Sequence, residues 1–373
     1  MEKNDCKQLI KVLHYVSRMD LAGQETFIMN VFRNIDTKKV SFDFLCTQNG
    51  KGDYDDEILT MGGEVRHIQL NRIKSCLKQI DNTILLYRYL RKFRNEYKAF
   101  HIHTQHAMDA FLSSLAAKFA NIETVIVHSH NTSTVYSVKL HNIFKSLLRK
   151  MNIYRFACSH AAGQWMFGND EFKVICNGVD IDKFKYNAML RDSIRKELLV
   201  EDKIVIGHIG RFNKQKNHKK IIEIFYEYQK ENPDTNLILF GKGELEQKVM
   251  DQVKSLGIVD KVIFAGTCNN VEKYYNAMDL FLFPSLFEGL PVVLVEAQVS
   301  GIKCAISNTI TEEIDITDSI LRIDINQDST ELAYKLSEFL EDKSFRYTDI
   351  RRIRNSGYDI KLVAKELEDF YIH

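Results

Sequence analysis

The sequence is poor in proline, in long apolar runs and in paired cysteines. It has three prolines in 373 residues, against an average near 5%, and two of them, Pro284 and Pro291, bracket one short stretch. No run of about 18 apolar residues appears, so no transmembrane helix is expected. The N-terminal residues also lack the apolar core and cleavage site of a secretory signal. These absences predict a cytoplasmic protein.

Cysteine and glycine spacing exclude further kinds of site. Seven scattered cysteines without a C-x-x-C pair predict free thiols in a reducing cytoplasm. The segment SRMDLAGQETF, after the first predicted strand, has one glycine where the dinucleotide fingerprint G-x-G-x-x-G needs three. No G-x-x-x-x-G-K-[ST] occurs either, which argues against P-loop chemistry.

The chain does have an even charge balance with an uneven distribution. Its formal net charge is +1, but residues 1–180 carry 24 Lys and Arg against 18 Asp and Glu, and the remainder carries 27 against 32. Residues 71–100 alone hold eight basic and two acidic side chains. The N-terminal half is therefore predicted to meet something anionic, although the excess is too small to indicate nucleic acid.

Short β-branched and aromatic runs alternate with helical patterns along the chain. Such alternation predicts parallel sheets covered by helices, and twelve strands are too many for one open sheet of ordinary size. We therefore predict an α/β fold of two Rossmann-like doubly wound domains, 1–185 and 186–355, facing across a cleft where ligands bind beyond the strands' carboxyl ends. The predicted strands are residues 8–16, 41–47, 65–70, 99–103, 124–128, 154–158, 203–210, 236–241, 261–266, 279–284, 303–307 and 320–324.

Two turns in the second half follow predicted strands. In GRFNKQKNHKK, Arg211 and Lys216 precede a helix predicted to begin near Asn217. Cations there would hold a diphosphate, and the alternative is a solvated basic turn. In LFGKGELEQKV, Gly241 and Gly243 let the backbone approach a ligand closely, or they form an ordinary turn between a strand and a helix.

The stretch FEGLPVVLVE carries two carboxylates, Glu288 and Glu296, eight positions apart. Pro291 suits the first turn of a helix over 291–300, whose N-terminus would aim N–H groups and a positive dipole end at a ligand. Gly289 permits close backbone approach. The carboxylates suit two hydroxyl-bearing groups of one extended ligand, and the alternative is one capping and one surface carboxylate.

Histidines end two strands of the first half, in FHIHTQH and IVHSHNTST. Alternation puts His101 and His103 on one side of their strand, and His128 and His130 likewise. A zinc site lacks an obvious carboxylate or thiolate partner, so no metal is expected. One histidine is expected to line the cleft, and packed or surface positions are expected for the others.

Together these segments resemble a known family. GRFNKQKN, LFGKGEL, NGVD and VIFAGTCNNVEKYYNAMDLFLFPSLFEGLPVVLVEAQVSG are similar to motifs of the retaining nucleotide-sugar glycosyltransferases of family 4. VHSHN resembles, more narrowly, bacterial enzymes that build capsular polysaccharide and exopolysaccharide. The resemblance covers nearly the whole chain. It implies a GT-B fold whose C-terminal domain holds most of the donor nucleotide, with residues 356–373 crossing back onto the N-terminal domain.

The resemblance implies a role for each matching residue. Arg211 and Lys216 would hold the donor diphosphate. Glu296 would bind the ribose hydroxyls, and Glu288 the transferred sugar or the diphosphate region. His130 would lie near the sugar. The residues implied to be catalytic are His130, Arg211, Lys216 and Glu288. Segment 267–270, with Thr267 and Asn269, would edge the base. The other predicted donor contacts are Gly23, Gly241, Gly243, Gly289, Leu290, Pro291 and Val292.

One departure from the family concerns the first domain. The family usually has paired glycines before its Glu-bearing helix, whereas this chain has AGQE at 22–25. A side chain at Ala22 is predicted to restrict the loop that carries Gly23. Contact between Gly23 and the donor is therefore a weaker expectation than contact with Arg211.

The resemblance implies retention of anomeric configuration without a metal or cofactor. Arg211, Lys216 and the helix dipole would stabilise the leaving nucleoside diphosphate, and the lack of a D-x-D carboxylate pair near a strand end agrees with this. The sequence identifies no residue as the nucleophile of a covalent intermediate, so we expect front-face attack with an oxocarbenium-like transition state. The expected donor is a hexose or N-acetylhexosamine linked to UDP, with GDP as the alternative carrier. The expected acceptor is a lipid-linked saccharide of a growing surface polysaccharide.

Basic residues on two segments predict contact with a membrane. A helix predicted over 84–98 and the segment 138–155 would rest on anionic lipid at the cytoplasmic face of the inner membrane; ordinary solvated helix faces are the alternative. The residues concerned are Arg88, Arg91, Lys92, Arg94 and Lys98, and Lys139, Lys145, Arg149, Lys150 and Arg155.

Other functions share parts of this pattern. A GT-B phosphorylase or a sugar-nucleotide epimerase would use the same two-domain cleft, although phosphorylases bind pyridoxal phosphate through a lysine in a much longer chain. An epimerase would act without an acceptor, which distinguishes it from a transferase. The last alternative is a non-catalytic nucleotide-sugar-binding subunit, against which the intact Lys216 and Glu288 argue.

Overall fold

The computed structural model describes residues 9–70, 76–132, 137–268, 270–341, 346 and 348–373. They form two compact units, each built on one parallel β-sheet. The first unit ends at Gly178 and takes in Asp359–His373, and the second is Val179–Tyr358. The end of the chain therefore belongs to the unit that contains the first strand.

The described part of the first unit contains seven strands and seven helices. The strands are β1 (Ile10–Val16), β2 (Val40–Cys46), β3 (Val65–His67), β4 (Ala99–Thr104), β5 (Thr124–Ser129), β6 (Tyr154–Ala157) and β7 (Lys173–Val174). The helices are α1 (Gly23–Asn34), α2 (Asp55–Thr60), α3 (Cys76–Phe93), α4 (Ala107–Phe119), α5 (Val138–Leu148), α6 (His160–Phe167) and, at the end of the chain, α15 (Ile360–Ile372). The sheet order is β3-β2-β1-β4-β5-β6-β7, with every described pairing parallel.

Alternation along β1 divides the core of this unit between the two faces of its sheet. Val12 and Val16 pack on one face, together with Phe32 of α1 and Leu367 of α15. Leu13 packs on the other face with side chains of α3 and α4. Fully burying an apolar side chain of this size stabilises a fold by about 1.5–3 kcal/mol. The last helix is thus an integral part of the first unit's core.

The described part of the second unit contains six strands and eight α-helices. The strands are β8 (Ile204–Ile209), β9 (Thr235–Phe240), β10 (Val262–Gly266), β11 (Leu280–Phe283), β12 (Lys303–Ser307) and β13 (Ile320–Ile323). The helices are α7 (Ile181–Phe184), α8 (Ala188–Glu197), α9 (His218–Glu231), α10 (Glu246–Ser255), α11 (Val271–Ala277), α12 (Val292–Val299), α13 (Ser329–Glu341) and α14 (Ile350–Asn355), with 3-10 turns at Val259–Lys261 and Glu312–Ile314. The sheet order is β10-β9-β8-β11-β12-β13, again parallel throughout the described pairings.

Strand order reverses at one place in each sheet. In the first sheet the chain runs outward from β1 to β2 and β3 and then resumes on the other side at β4; in the second it does the same between β8 and β11. The loops that leave two such central strands diverge, and the crevice between them is where open α/β sheets bind ligands. The fold therefore marks the carboxyl ends of β1 and β4, and of β8 and β11.

All twelve predicted strands are present to within three residues at each end, and the two parallel-sheet domains are confirmed. The structure adds β7, whose two residues carry too little pattern to detect. The helix predicted over 84–98 is α3, which begins earlier and ends at Phe93. Lys98 lies beyond it, and its Nζ donates to the carbonyl oxygen of Ile372 (3.0 Å). Among the described residues, no helix combines the length and the apolar character that a membrane span requires.

Candidate active site

The loops after β8 and β11 meet at the carboxyl edge of the second sheet. The backbone N–H of Leu286 donates to the carbonyl oxygen of Gln215 (2.9 Å), and Asn217 Nδ2 donates to that of Pro284 (3.1 Å). Asn217 adopts the left-handed conformation (φ 55°) directly before α9, which asparagine tolerates better than most residues. The fold thereby brings the basic turn and the FEGLP turn together.

Lys216 and Glu288 form an ion pair at this junction. Lys216 Nζ lies 2.7 Å from Glu288 Oε1, and the two side chains are 16% and 8% exposed. Gln215 Nε2 donates to Glu288 Oε2 (3.1 Å), so both carboxylate oxygens have a donor. The Lys216 ammonium also lies 4.6 Å from the centre of the Phe283 ring. Removing one partner of such a shielded pair leaves the other charge uncompensated.

Arg211 lies apart from that ion pair. Its side chain is 72% exposed, and its Nη2 is 3.6 Å from Glu244 Oε2. An exposed pair of this kind contributes little to stability, so an anion can draw the guanidinium away from Glu244 at little cost. The two predicted diphosphate cations therefore differ, because Lys216 is fixed in place and Arg211 is solvated.

Glu296 lies on the second turn of α12 against a buried tyrosine. The Tyr275 hydroxyl donates to Glu296 Oε2 (2.9 Å) and lies 3.1 Å from the carbonyl oxygen of Val293. Burial raises the pKa of Glu296 to about 7, an effect that the Tyr275 hydrogen bond opposes. A carboxylate with so little hydration gains from hydrogen-bond donors such as the hydroxyls of a ribose.

The start of α12 differs slightly from the prediction. Pro291 is the residue before the helix (φ −76°, ψ 107°), and α12 runs from Val292 to Val299, one residue shorter at each end than predicted. Leu290 is buried and Val292 is half-buried. A Cβ at Gly289 would meet no atom of the described chain within 4 Å. Packing therefore does not require glycine at this position.

Gly241 and Gly243 have packing reasons of their own. Gly241 has φ +128°, and a Cβ there would come within 2.1 Å of the carbonyl oxygen of Gly210. A Cβ at Gly243 would come within 2.4 Å of the carbonyl oxygen of Phe212, and the Phe212 N–H donates to the carbonyl oxygen of Lys242 (3.1 Å). The glycines let the loop after β9 pack on the loop after β8. Their contact with a donor stays a prediction.

The segment after β10 is predicted to edge the base of the donor. Thr267 is exposed directly after that strand. Asn269 lies outside the described residues. Both base contacts stay predictions.

Five histidines stack across the first sheet. His14 comes from β1, His101 and His103 from β4, His128 from β5, and His130 from the loop after it. His14 is the register neighbour of His101, and His103 that of His128, so their side chains lie on one face of the sheet. The His128 and His130 ring centres are 4.2 Å apart, and those of His101 and His103 are 4.3 Å apart. These five residues are the histidine cluster.

A hydrogen-bonded chain runs through the cluster to His130. His14 Nδ1 lies 2.9 Å from His103 Nε2, and His103 Nδ1 lies 2.9 Å from His130 Nε2. Burial lowers the pKa of His14 and of His130 to about 3, and that of His103 well below its usual range. Each ring is therefore neutral near pH 7 and carries one N–H. The tautomer of His103 consequently fixes which nitrogen of His130 carries its proton.

The cluster also contains two sets of three imidazole nitrogens that lie within 4.8 Å of one another. One set is His14, His101 and His103, and the other is His103, His128 and His130. Three nitrogens match the ligand count of a catalytic zinc site. Within the described part of the chain neither set includes a carboxylate or thiolate, so a buried dication would lack charge compensation. The expectation of no metal stays a prediction.

The loop before α1 carries the predicted glycine contact. Gly23 is the first residue of α1, and Ala22 before it has extended backbone angles (φ −134°, ψ 163°). Any residue adopts such angles, so alanine fits this conformation, and the restriction that Ala22 places on the loop stays a prediction. A Cβ at Gly23 would meet no described atom within 4 Å. Contact between Gly23 and a donor stays a prediction.

Models of two glycosyltransferase families match the chain, one in each half. The model described as Glycosyltransferase Family 4 matches residues 21–183, which include the histidine cluster except His14. The model described as Glycosyl transferases group 1 matches residues 191–356, which include Lys216, Glu288 and Glu296. EpsF of Bacillus subtilis, whose name assigns it provisionally to the glycosyltransferases, is 32% identical over 320 residues, 82% of this chain and 81% of EpsF. The chain belongs to the GT-B glycosyltransferases.

Other relatives of this glycosyltransferase have more specific names. The Escherichia coli UDP-Gal:alpha-D-GlcNAc-diphosphoundecaprenol alpha-1,3-galactosyltransferase is 25% identical over 317 residues, 80% of this chain and 79% of that protein. The capsular polysaccharide biosynthesis glycosyltransferase CapH of Staphylococcus aureus is 25% identical over 391 residues, 98% of this chain and 99% of CapH. Relatives of the enzyme thus include named polysaccharide glycosyltransferases.

A solved structure shares the fold of the enzyme. HepE of Anabaena, crystallised in complex with UDP, aligns with a TM-score of 0.78 over 97% of this chain and 99% of that one. The two sequences are 18% identical, so this likeness shows the fold alone. The expected two-domain GT-B architecture is confirmed.

Three residues of the glycosyltransferase's site escape the sequence analysis. Gln215 lies in the motif GRFNKQKN and Tyr275 in VIFAGTCNNVEKYYNAMD, but only the fold shows that they bind Glu288 and Glu296. His14 lies in the apolar strand IKVLHYV. A polar residue in the middle of a buried strand needs a partner, and that signal alone could have pointed to His14.

The basic surface of the enzyme is weaker than the sequence predicts. Segment 138–155 contains no acid, but the fold brings Asp170 to it from beyond α6. Arg149 Nη2 lies 2.7 Å from Asp170 Oδ1, and Arg155 Nε lies 4.0 Å from Asp170 Oδ2. Two of the five cations predicted there are therefore partly neutralised.

Proposed function

We propose that this enzyme transfers a hexosyl or N-acetylhexosaminyl group from a UDP-linked sugar, with retention, to a lipid-linked saccharide of a surface polysaccharide. The Lys216–Glu288 ion pair at the carboxyl edge of the second sheet carries this proposal. It places a fixed cation and a fixed carboxylate where open α/β sheets bind ligands. A sugar diphosphate needs both, a cation for the phosphates and a hydrogen-bond acceptor for the hydroxyls.

The donor diphosphate would form an ion pair with Lys216. In the free enzyme Lys216 neutralises Glu288; a bound diphosphate offers a higher negative charge and shares that ammonium. Glu288, still held by Gln215, then accepts hydrogen bonds from the transferred sugar. Arg211 adds a second cation, because its exposed side chain is held only by an exposed pair. Positive charge at the leaving diphosphate lowers the barrier to front-face departure of the sugar.

The ribose would bind Glu296. Tyr275 holds Oε2 of this carboxylate, which leaves Oε1 for a ribose hydroxyl. Bound hydroxyls stabilise the ionised form and so lower the raised pKa of Glu296 toward its usual range. HepE binds UDP and UDP-glucose in its crystal structures, and the name of the E. coli relative specifies a UDP-linked donor and a diphosphoundecaprenol acceptor. These support uridine and a lipid-linked acceptor for the present enzyme.

Donor binding tests the proposal. Thermal unfolding is measured with UDP, UDP-sugars and GDP-sugars for the wild type, Glu296→Ala and the matched control Glu331→Ala, which changes an exposed glutamate of α13. A UDP-sugar is expected to stabilise the wild type and the control clearly more than Glu296→Ala. Equal shifts of the unfolding temperature in all three proteins would show that Glu296 does not bind the donor. Stabilisation by GDP-sugars alone would show that the donor base is guanine and not uracil.

Metal independence is part of the same proposal. Lys216 and Arg211 supply the positive charge that a divalent cation provides in other enzymes. UDP release is therefore expected to be unchanged after dialysis against EDTA. A loss of turnover that zinc or magnesium restores would contradict this, and zinc restoration would point to the histidine cluster.

Membrane contact is proposed through α3 and α5, which both pack against α4. Ile84 on α3 and Ile143 on α5 are exposed, and Arg88 and Lys92 extend from the same stretch of α3. Apolar and basic side chains together suit the surface of an anionic bilayer. Sedimentation with anionic vesicles is expected for the wild type and for a control with Lys219, Lys248 and Lys254 changed to Glu. If the variant with Arg91, Lys92 and Arg94 changed to Glu still bound the vesicles, membrane contact through these residues would be contradicted.

A further inference from the structure

The first unit contains a cavity of about 460 Å³ at the carboxyl edge of its sheet. Val16 at the end of β1, Thr47 just after β2 and Thr104 at the end of β4 line it. The cavity therefore lies where strand order reverses in this sheet, the position at which such folds bind ligands. Its volume is within the range of small-molecule sites.

Five carboxamides contribute to the polar lining of the cavity. A carboxamide offers two donors and one acceptor in a fixed plane, which suits a ligand whose hydroxyls both donate and accept. The amides come from α1, from the loops after β2 and β4, and from α3. They are Gln24, Gln48, Gln79, Asn82 and Gln105.

The rest of the lining suits the two kinds of surface that a sugar presents. Hydroxyls of Ser17, Thr83 and Ser113 add further hydrogen-bonding groups, whereas Leu86 and Leu112 form an apolar wall. A pyranose ring has hydroxyls around its edge and C–H groups on its faces. Pockets that bind small ligands combine apolar walls with a few placed polar groups in this way.

The charges of the lining residues limit the class of ligand that the cavity can bind. The lining contains neither lysine nor arginine among the residues that the structure describes, and its one carboxylate is Asp109 in the first turn of α4. No described cation lies within ion-pair distance of Asp109, and burial raises the pKa of its carboxyl to about 6. Above that pH Asp109 gives the described lining one negative charge, which accepts hydrogen bonds from hydroxyls and repels a second anion.

We propose that this cavity binds an uncharged sugar of the acceptor and that Asp109 makes it reject sugars that carry a carboxylate, sulfate or phosphate. The assignment of this sugar to the acceptor rests on the proposed function, whereas the binding of an uncharged sugar does not. His103 lines the cavity and is hydrogen-bonded to His130, the residue predicted to lie near the transferred sugar. The diphosphate of a lipid carrier would have to lie outside this cavity.

Matched pairs of small glycosides test the proposal directly. The probes are the methyl glycosides of glucose, galactose, N-acetylglucosamine and N-acetylgalactosamine, with methyl glucuronide and methyl galacturonide as charged partners of the first two. Binding to the full chain at pH 8 is measured by ligand-observed NMR and by calorimetry. At least one neutral glycoside is expected to bind, and the uronide of a bound hexoside at least about tenfold more weakly.

Two variants assign the selectivity to Asp109. Asp109→Asn keeps the shape of the side chain and removes its charge, so the difference between hexoside and uronide is expected to shrink to about threefold or less. Asp81→Asn makes the same change at an exposed position of α3 outside the lining, and it should behave as the wild type. Gln79→Leu is expected to weaken the neutral glycoside by about two- to tenfold by removing its amide.

Each contrary outcome addresses one part of the proposal. Equal binding of hexoside and uronide by the wild type, or unchanged discrimination in Asp109→Asn, would overturn the charge selection. Binding of no neutral glycoside by folded protein that still binds UDP would overturn the sugar site and leave the donor site standing. Glycoside binding without UDP binding would instead count against the proposed function.

Discussion

The two units share one architecture, but the side chains near their central strands differ in charge. Where strand order reverses in the second sheet, an ion pair of Lys216 and Glu288 keeps full charges close to the protein interior. In the first sheet the central strands carry the histidine cluster, whose buried rings are neutral because burial lowers their pKa values. The fold therefore does not determine the chemistry near these central strands, and the side chains that the strands and their loops carry do.

The difference corresponds to the two kinds of group that a sugar-transfer reaction must handle. A leaving diphosphate carries charge and calls for cations in a fixed position. Sugar hydroxyls carry none and call for neutral donors and acceptors, which the amides and imidazoles of the first unit supply. Five changes, one of pH and four of single residues, would break or sharpen this comparison.

The largest effect is expected from acid on the first unit. Well above pH 6.5 the five histidines are neutral in both states and contribute nothing to the pH dependence. As the pH falls through 6.5, the unfolded chain binds protons that the buried rings do not, so the free energy of unfolding falls. The loss at pH 5.5 is about 1.4 kcal/mol for each histidine and about 7 kcal/mol for the five, which the raised pKa of Asp109 in the same unit partly offsets.

Trp165, the single tryptophan of the chain, lies in α6 of the first unit and reports this unfolding. Urea titrations at pH 7.5 and 5.5 are compared for the wild type, for His128→Leu, whose histidine has both ring nitrogens buried without a partner, and for the exposed control His67→Gln. His128→Leu is expected to lose about one fifth of the pH effect. A wild type equally stable at both pH values would show that the cluster is not neutral or not buried.

The next effect concerns the ion pair of the second unit. Lys216→Met is expected to lower kcat for UDP release by about 10²- to 10³-fold, because the variant loses the fixed cation at the leaving group. Lys219→Met removes a lysine that is 79% exposed on α9 and should leave kcat unchanged. If Lys216→Met retained wild-type kcat, the central role of the ion pair would be lost.

Glu288→Gln sharpens the same point through a double-mutant comparison. If the two residues act as one unit, adding Glu288→Gln to Lys216→Met costs much less than Glu288→Gln costs alone. Additive losses would mean that the two side chains contact different parts of the donor at different steps.

Glu296→Gln is expected to make the free enzyme more stable while weakening donor binding. With a pKa of about 7, the folded protein holds a proton at this site between about pH 4.5 and 7. The stabilisation from that proton is present at pH 4.5 and lost as the pH rises through 7, so ionised Glu296 costs on the order of 2 kcal/mol at pH 8. Thermal unfolding at pH 8 should therefore rise in Glu296→Gln and not in Glu331→Gln. A lower unfolding temperature would contradict the burial argument.

The smallest effect is expected at Arg211, because its guanidinium is solvated before the donor arrives. Arg211→Gln should weaken UDP binding by about three- to tenfold, less than Lys216→Met does, and the loss should shrink at high salt. Arg351→Gln, at an exposed position of α14, serves as the control. A loss as large as that of Lys216→Met would show that Arg211 is the principal cation.

The donor half of the site is readable in sequence because its residues lie in two short, contiguous motifs. The basic turn and FEGLPVVLVE each follow an apolar strand, and parallel strands bring such loops to one edge, where the structure joins Lys216 to Glu288. What the sequence does not show is the direction of each side chain. It therefore groups Arg211 with Lys216, although only one of them meets the carboxylate.

The first unit is harder to read because its polar groups are spread over many elements. The cavity takes residues from four strands or loops and three helices, so the sequence does not show that Asp109 and Gln79 line the same space. His14 sits 89 residues before its partner His103. Likewise, Asp170 neutralises arginines of a segment that looks purely basic. Long-range pairings of single side chains leave no local pattern.

One assay tests the central claim most directly. The enzyme and Lys216→Met are each incubated with UDP-glucose, UDP-galactose, UDP-N-acetylglucosamine or UDP-N-acetylgalactosamine, with and without polyprenyl-diphosphate-linked saccharides, and UDP is measured. The account predicts that one donor yields UDP only when acceptor is present, that the product keeps the donor's anomeric configuration, and that Lys216→Met loses this activity. Release of UDP from no donor by folded enzyme, conversion of the donor sugar without acceptor, or undiminished activity of Lys216→Met would contradict it.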